Sequence, residues 1–370
     1  MSMVKERSGV QKIAPYQAAR SLESVKREFG LDQIIKLAGN ENRLGCSSRV
    51  AGILEEQKSQ FSFYPDSNCT VLRERLSSIH NVEPDHLVFG NGSFELIALI
   101  AHAYLETGEE AVIPDPSFGW YRNVTLQMNG KPVMVPLKEF AIDTDEILRL
   151  ISGQTKIIWI CNPNNPTGTV LKEEQLRDFI KKVPDHILVV LDEAYIDFVE
   201  ESYFDTTELI KQHKNVILLR TFSKLYGLAS FRIGYGIGDP ELIEKINKVR
   251  SPLSVSFPAQ KAAEVSLEDE DFKRLVLDNN RKSLDLYYSE LKRLGLDYVR
   301  SNGNFILIRT GADGEAVEKA FLQNGIIIRN ASEFGLDGWI RVSVGTFEEN
   351  KKVIRVLESF TQERKRQEES

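Results

Sequence analysis

Lys224 follows an apolar run, Val216–Leu219, and sits among small hydroxyl residues, Thr221 and Ser223; Gly227, Arg232 and a second apolar run from Ile233 come next. Read physically, a β-strand ends here and delivers a lysine and a hydroxyl cluster to the mouth of a sheet. Arg232 follows at a spacing that a loop can fold back. A lysine that is partly buried beside another cation loses its proton more readily, and the free amine is a nucleophile for a carbonyl. An arginine and hydroxyls at the same place suit a phosphate. The chemistry is imine formation with a phosphorylated carbonyl compound. Taken alone, a lysine and an arginine at this spacing are ordinary solvated charges, so other elements must bring partners to them.

Those elements form an alternation. Strands are expected at His86–Phe89, Ala111–Ile113, Pro132–Val135, Lys156–Cys161, Ile187–Leu191 and Val216–Leu219, with helical periodicity between them, as at Phe94–Tyr104, Thr144–Ile151, Lys172–Val183 and Thr207–Gln212. Short Ile- and Val-rich runs separated by helices predict an α/β fold, a mostly parallel sheet with helices on both faces. Ligands of such sheets sit beyond the carboxyl ends of the strands. Four ends carry polar residues: Gly90-Asn91-Gly92-Ser93, Asn162–Gly168 (NPNNPTG), Asp192–Tyr195 (DEAY) and the Lys224 loop. The GNGS turn opens a helix, so its backbone N–H groups can hold a phosphate; a serine cap after a tight turn accounts for the same letters.

After Pro240 the pattern changes. A helix at Glu241–Val249, a proline-bearing link, a long helix over Asp269–Leu294, strands at Phe305–Arg309, Ile326–Arg329 and Trp339–Val344 and a last helix at Glu348–Phe360 predict a smaller α+β domain carrying Arg329 and Arg341. The tail from Thr361 reads as frayed. The expected division is an arm at 1–44 that belongs in part to the small domain, a large domain at 45–250 and a small domain at 251–370.

A strand-end lysine, a phosphate cradle, a buried acid and turn asparagines together resemble a pyridoxal-phosphate enzyme. For that cofactor Lys224 forms the imine and then moves the proton, and Asp192 pairs with the ring nitrogen. Asn165 and Tyr195 reach the ring oxygen, and Phe118 stacks on the ring. Ser223, Arg232 and the N–H groups of Ser93 and Phe94 hold the phosphate, while Arg341 grips a substrate carboxylate as a planar fork.

Composition bounds the alternatives. The 370 residues hold 47 Lys and Arg against 54 Asp and Glu, net −7, with no basic block, which argues against a nucleic-acid partner. Three cysteines (Cys46, Cys69, Cys161) and five scattered histidines lack disulfide or metal spacing, so no metal is expected and a reducing compartment is favoured. No apolar run has membrane-spanning length, and the expected location is the cytoplasm.

NPNNPTG, DEAY, Ser223-Lys224 with Arg232, and Ile340–Gly345 (IRVSVG) resemble the aspartate-aminotransferase superfamily, fold type I. APYQAAR at Tyr16, the stretch to GNEN at Asn40, FYPD at Tyr64, GNGS and GIIIRN at Arg329 are similar to the histidinol-phosphate aminotransferases, over nearly the whole chain. The resemblance implies a seven-stranded-type sheet, pyridoxal 5′-phosphate, small-molecule substrates (histidinol phosphate and 2-oxoglutarate) and a homodimer in which Tyr64 reaches the neighbouring subunit's cofactor phosphate. It also implies that Tyr16, Asn42, Arg329 and Arg341 meet the substrate. Three positions depart from the family pattern: Arg43 and Cys46 stand where prolines are usual, and Phe94 stands for an aspartate. The resemblance implies an Arg43 by the substrate entrance, able to favour an extra anion. A broader amino-acid aminotransferase, a phospho-amino-acid decarboxylase and a non-catalytic relative are the alternatives, the last disfavoured by the retained lysine.

Overall fold

Strands buried on both faces must be apolar along most of their length, and the central runs of this chain are, up to their last residues. In the computed structural model, which describes residues 4–15 and 20–368, Leu188–Asp192 is buried throughout and Val216–Thr221 nearly so. The strands are β1 (Ile35–Lys36), β2 (Leu87–Gly90), β3 (Glu110–Asp115), β4 (Lys131–Pro136), β5 (Thr155–Cys161), β6 (Leu188–Asp192), β7 (Val216–Thr221), β8 (Gly234–Gly238), β9 (Tyr298–Val299), β10 (Phe305–Arg309), β11 (Ile326–Ile327), β12 (Arg329–Asn330) and β13 (Trp339–Ser343).

Seven of them form one sheet in the order β2-β8-β7-β6-β5-β3-β4. All neighbours are parallel except β8, which runs antiparallel to both β7 and β2. Side chains alternate between the faces. Val189, Leu191, Val216 and Leu218 pack into one apolar cluster, while Leu188, Val190, Ile217 and Leu219 pack into the other. Register brings the strand ends to one edge: Cys161 lies opposite Asp192, and Thr221 opposite Gly234.

A second sheet, β12-β13-β10-β9, is antiparallel, and β1 pairs in parallel with β11. Leu37, just past β1, donates its N–H to Ile327 O at 2.7 Å and accepts from Ser343 N at 2.9 Å, so the early chain is threaded through the C-terminal unit. The single strand expected at Ile326–Arg329 is split: β11 pairs with β1 and β12 pairs with β13. The tail is helical rather than frayed to Glu368, in a helix that starts at Phe347. A helix at Phe257–Leu267 has no counterpart in the sequence reading. Its Ala259, Ala262, Ala263 and Leu267 join the apolar cluster of the large sheet, so packing partners do not change at residue 250.

The loop that follows β1 lies on the loop that carries Lys224. Asn42 Nδ2 donates to Leu225 O at 2.9 Å. Gly227, at φ +68, approaches so closely that a Cβ there would lie 1.7 Å from the carbonyl oxygen of Gly45. Gly227→Ala is expected to lower the unfolding free energy by more than about 2 kcal/mol, since both the left-handed backbone and the contact are disturbed. The urea midpoint at unchanged slope measures it.

Candidate active site

Asp192 ends β6 and points to one face of the sheet; Glu193, the next residue, points to the other. Asp192 is 3% exposed and accepts from Tyr121 Oη at 2.7 Å through Oδ2 and from Ala194 N at 3.2 Å through Oδ1. Burial pushes its carboxyl up to about 6, against the pull of those two donors. Tyr121 is itself fully buried, with its ring stacked on Trp159 at 5.1 Å, and stays a phenol. Glu193 accepts from Arg220 Nε at 2.9 Å, and Arg220 also reaches Thr206 and His80. The two acids of DEAY thus part: one serves the cluster at the strand ends and one is spent in a buried ion pair behind it.

Lys224 Nζ donates to Gly39 O at 3.1 Å and lies 5.5 Å from the centre of the Tyr195 ring. Removal from water, then the Arg341 and Arg232 charges, draw its amine down to about 8, with Glu41 and Asp192 opposing. Tyr195 is 5% exposed, packs edge-on against Phe305 at 5.0 Å and accepts from Asn40 Nδ2 at 3.0 Å. Burial raises its phenol to about 12, so it keeps a proton to donate. Glu41 pairs with Lys36 at 2.5 Å; although burial works upward, that partner brings its carboxyl below the usual range.

The GNGS turn and Arg232 form one piece. Gly92 holds φ +77 at the start of the Ser93–Tyr104 helix, no side chain caps that helix, and a Cβ on Gly92 would lie 2.5 Å from Arg232 Nη2. Arg232 donates to Asn91 O at 3.3 Å and Ala229 O at 3.1 Å, which holds its guanidinium beside the uncapped helix end. Ser223, 8% exposed, is tied to Thr221 Oγ1 by its hydroxyl at 3.0 Å and its N–H at 3.1 Å. Phe118 meets the Tyr121 ring edge-on at 5.5 Å, on a loop that Asn164 holds by accepting from Ser117 Oγ at 2.7 Å and donating to Pro116 O at 3.1 Å. Phe94 stacks on Trp120 at 4.4 Å and meets Phe118 at 6.1 Å. Phe94, Phe118 and Trp120 thus build an aromatic wall.

On the small-domain side, Arg341 is 6% exposed and donates to Asn165 Oδ1 at 2.6 Å and Ala38 O at 2.7 Å. Its buried Nε has no hydrogen-bond partner among the described residues. Arg329 lies directly opposite on β12 and pairs with Glu333. The strand ends and the small-domain sheet therefore assemble a nucleophilic amine, a buried carboxyl, an anion cradle and two further guanidinium groups around one space.

A class I and II aminotransferase family model matches residues 32–357. The histidinol-phosphate aminotransferase of Caldicellulosiruptor saccharolyticus is 42% identical over 352 residues, 95% of this chain and 98% of that one. The histidinol-phosphate aminotransferase 2 of Carboxydothermus hydrogenoformans is 39% identical over 353 residues, 95% and 98% of the two chains. The chain belongs to the class I and II aminotransferases, in the histidinol-phosphate aminotransferase family. The crystal structure of the Sinorhizobium meliloti histidinol-phosphate aminotransferase in complex with pyridoxal-5′-phosphate shares its fold, at TM-score 0.89 and 24% identity over 98% of this chain and 99% of that one. That of the Clostridium acetobutylicum enzyme aligns at TM-score 0.83 and 25% identity, over 89% and 100%.

For this aminotransferase, Lys224, Asp192, Tyr195, Asn165, Ser223, Arg232, Ser93, Phe94, Phe118, Arg341 and Arg329 come together. Two readings fare differently. Asn42 has both ends of its amide engaged with backbone, donating to Leu225 O at 2.9 Å and accepting from Leu44 N at 3.0 Å, so it pins loops together. Arg43 does not stand free for an extra anion: it grips Glu349 with Nη2 at 2.5 Å and Nε at 3.2 Å, tying the early loop to the last helix. Tyr64, expected to act across a subunit boundary, is 87% exposed. Tyr16 lies outside the described residues. Cys46 packs against the large apolar cluster.

Sequence reasoning missed Tyr121, Asn40 and Glu41. Asn40 joins Tyr195 to Ser343, accepting from Ser343 Oγ at 2.9 Å, and its carbonyl accepts from Asn304 Nδ2 at 3.0 Å. Asn40 and Glu41 stood in the GNEN motif, and Tyr121 three residues beyond Phe118, so the letters were in view without a partner to give them meaning. Tyr121→Phe removes a bond that favours ionised Asp192, so the midpoint of Asp192 is expected to rise above about 6. Carbon NMR of aspartate-labelled protein across pH reads that shift.

Proposed function

We propose that this chain transfers the amino group of L-histidinol phosphate to 2-oxoglutarate, giving imidazole-acetol phosphate and L-glutamate, with pyridoxal 5′-phosphate as cofactor. The observation that carries the reading is Arg341 opposite Arg329, two guanidinium groups on one face beside a lysine whose amine is drawn down to about 8. The identity of the relatives supports the same substrates.

The residues fit the cofactor. Arg232 against the capless helix of Ser93, with Ser223 beside it, suits a phosphate, and among the described residues no carboxylate pairs with Arg232. Pyridoxal 5′-phosphate, when bound, supplies an aldehyde that takes up the amino group and a ring that draws off the electrons left at the substrate Cα. Asp192, steered by Tyr121, holds a proton on the ring nitrogen. Tyr195 donates from Oη, and Asn165, whose Oδ1 is committed to Arg341, has Nδ2 to offer to the ring oxygen. Phe118 offers a face for stacking. Lys224 Nζ is the base that takes the Cα proton and returns it to the neighbouring carbon; near pH 8 a large share of it is neutral, and higher pH increases that share.

The buried, unpartnered Nε of Arg341 has a donor left for the α-carboxylate of glutamate. Arg329, together with Tyr16, meets the phosphate of histidinol phosphate. The protruding Phe61, Phe63 and Tyr64, 49%, 67% and 87% exposed, are read as the contribution to a second copy, Tyr64 reaching the neighbour's cofactor phosphate. We read the large unit as 45–267 and the remainder, with the early arm, as the small unit. Three free cysteines suit a reducing cytoplasm, and among the described residues no helix is long and apolar enough to cross a membrane.

Lys224→Ala is expected to abolish the visible absorption of the cofactor-loaded protein and to cut turnover at least about 10⁴-fold; an unchanged spectrum defeats the assignment. Arg329→Ala is expected to lower kcat/KM for histidinol phosphate about 10- to 100-fold, the worth of a charged hydrogen bond, while phenylalanine turnover stays within about threefold. An unchanged ratio between the two substrates favours the broader aminotransferase.

A further inference from the structure

Arg329 and Arg341 are register partners across the β12–β13 ladder, so their side chains rise from the same face. Like charges directly opposite in a sheet repel, and an anion between them relieves this. Beside Arg329 the chain already carries one. Glu333 pairs with Arg329 Nε from the short turn Ala331–Phe334. That turn is built firmly: Asn330 Oδ1 accepts from Ser332 N at 3.0 Å, and Leu336 N donates to Ala331 O at 3.1 Å. The neighbouring Phe334 ring lies 5.5 Å from the Arg341 guanidinium. The carboxylate of Glu333 is thus delivered to the arginine pair by fixed backbone, with 37% of its side chain exposed against 20% for Arg329.

We infer that Glu333 is a resident competitor for the anion site at Arg329, a specificity-determining residue that holds back phosphate more than carboxylate. The inference rests on the reading that Arg329 takes the substrate phosphate. An ion pair this accessible to water is weak and displaceable, whereas a phosphate makes charge-assisted bonds to guanidinium that are stronger. The displaced carboxylate remains nearby, held by its turn, and its repulsion scales with the charge of the incoming group. A phosphate dianion therefore suffers about twice what a single carboxylate does. The consequence suits a reaction with two half-turns. Two different anions must enter and leave the same arginines in succession, and a site that gripped phosphate too tightly would not release the first product.

The test uses the holoenzyme, whose Arg232 cradle is filled by the cofactor's own phosphate, and two probes: inorganic phosphate, and glutarate, which brings a single negative charge to each arginine. Inhibition constants are measured for the wild type, Glu333→Gln and Glu333→Asp. Glu333→Gln is expected to tighten phosphate about fivefold and glutarate about twofold, and Glu333→Asp, which keeps the charge, to return both toward wild type. Equal constants in wild type and Glu333→Gln, or weaker phosphate binding by Glu333→Gln, overturn the inference; the second result makes Glu333 a support for Arg329. Visible spectrum and melting temperature establish that each variant is folded and loaded. Failure of the function reading shows separately, as a wild type that does not turn over histidinol phosphate; inhibition by the same probes is then still measurable with glutamate as amino donor.

Discussion

A guanidinium at 6% exposure has to be surrounded by fixed acceptors, and Arg341 finds them on two other segments: Asn165 of the turn after β5, and Ala38 in the threaded early chain. Burying that cation joins three parts of the molecule that lie far apart in sequence. The adjacent carbonyl, Gly39 O, takes Lys224, so the Lys224 amine and the Arg341 guanidinium are set by one short stretch of backbone. Asn40 extends the same junction to Tyr195 and Ser343. Leave Arg341 unsatisfied and the small sheet loses two buried charge-assisted hydrogen bonds to the strand-end turn and the threaded chain.

The parallel sheet does the complementary work. Its central strands are apolar until their last residues, so the polar groups of the site gather where the strands end. There water is scarce, which pushes Asp192 up and Lys224 down at once. Two shifts in opposite directions bring an acid and an amine toward one working range of pH. Each is held by a partner that itself is buried: Tyr121 for Asp192, and the Asn40 loop for Lys224. Behind the floor, the Glu193–Arg220 pair removes the second acid of DEAY from the chemistry.

Much of the fold was legible, because continuous apolar runs and helical spacing are local properties. The α/β alternation, the small α+β unit and the polar strand ends all follow from such patterns. Glycine-rich β8, seen only as a short apolar run, and the Phe257–Leu267 helix were harder to see, since three of the five residues of the one are glycine and the other begins in a proline-bearing link. In the site, the residues of the strand ends were legible as letters. Their partners were not: Tyr121 and Asp192 are 71 residues apart, and Asn40 and Ser343 are 303 apart. Arg43 shows the opposite risk, a charge that looked available and is held by Glu349.

By itself the sequence determined which chemical groups arrive at the carboxyl edge of the sheet. Adjacency along the chain carries them there: Lys224 must follow β7, and Asp192 must end β6. The tertiary structure decided which of those groups remain free to act. Asn42 is consumed by backbone, Glu193 by Arg220 and Arg43 by Glu349, while the Nε of Arg341 is left over. The reason is physical: a side chain's reach and burial are local, but the partner that satisfies it comes from a distant segment, and only packing of the two units determines which one arrives.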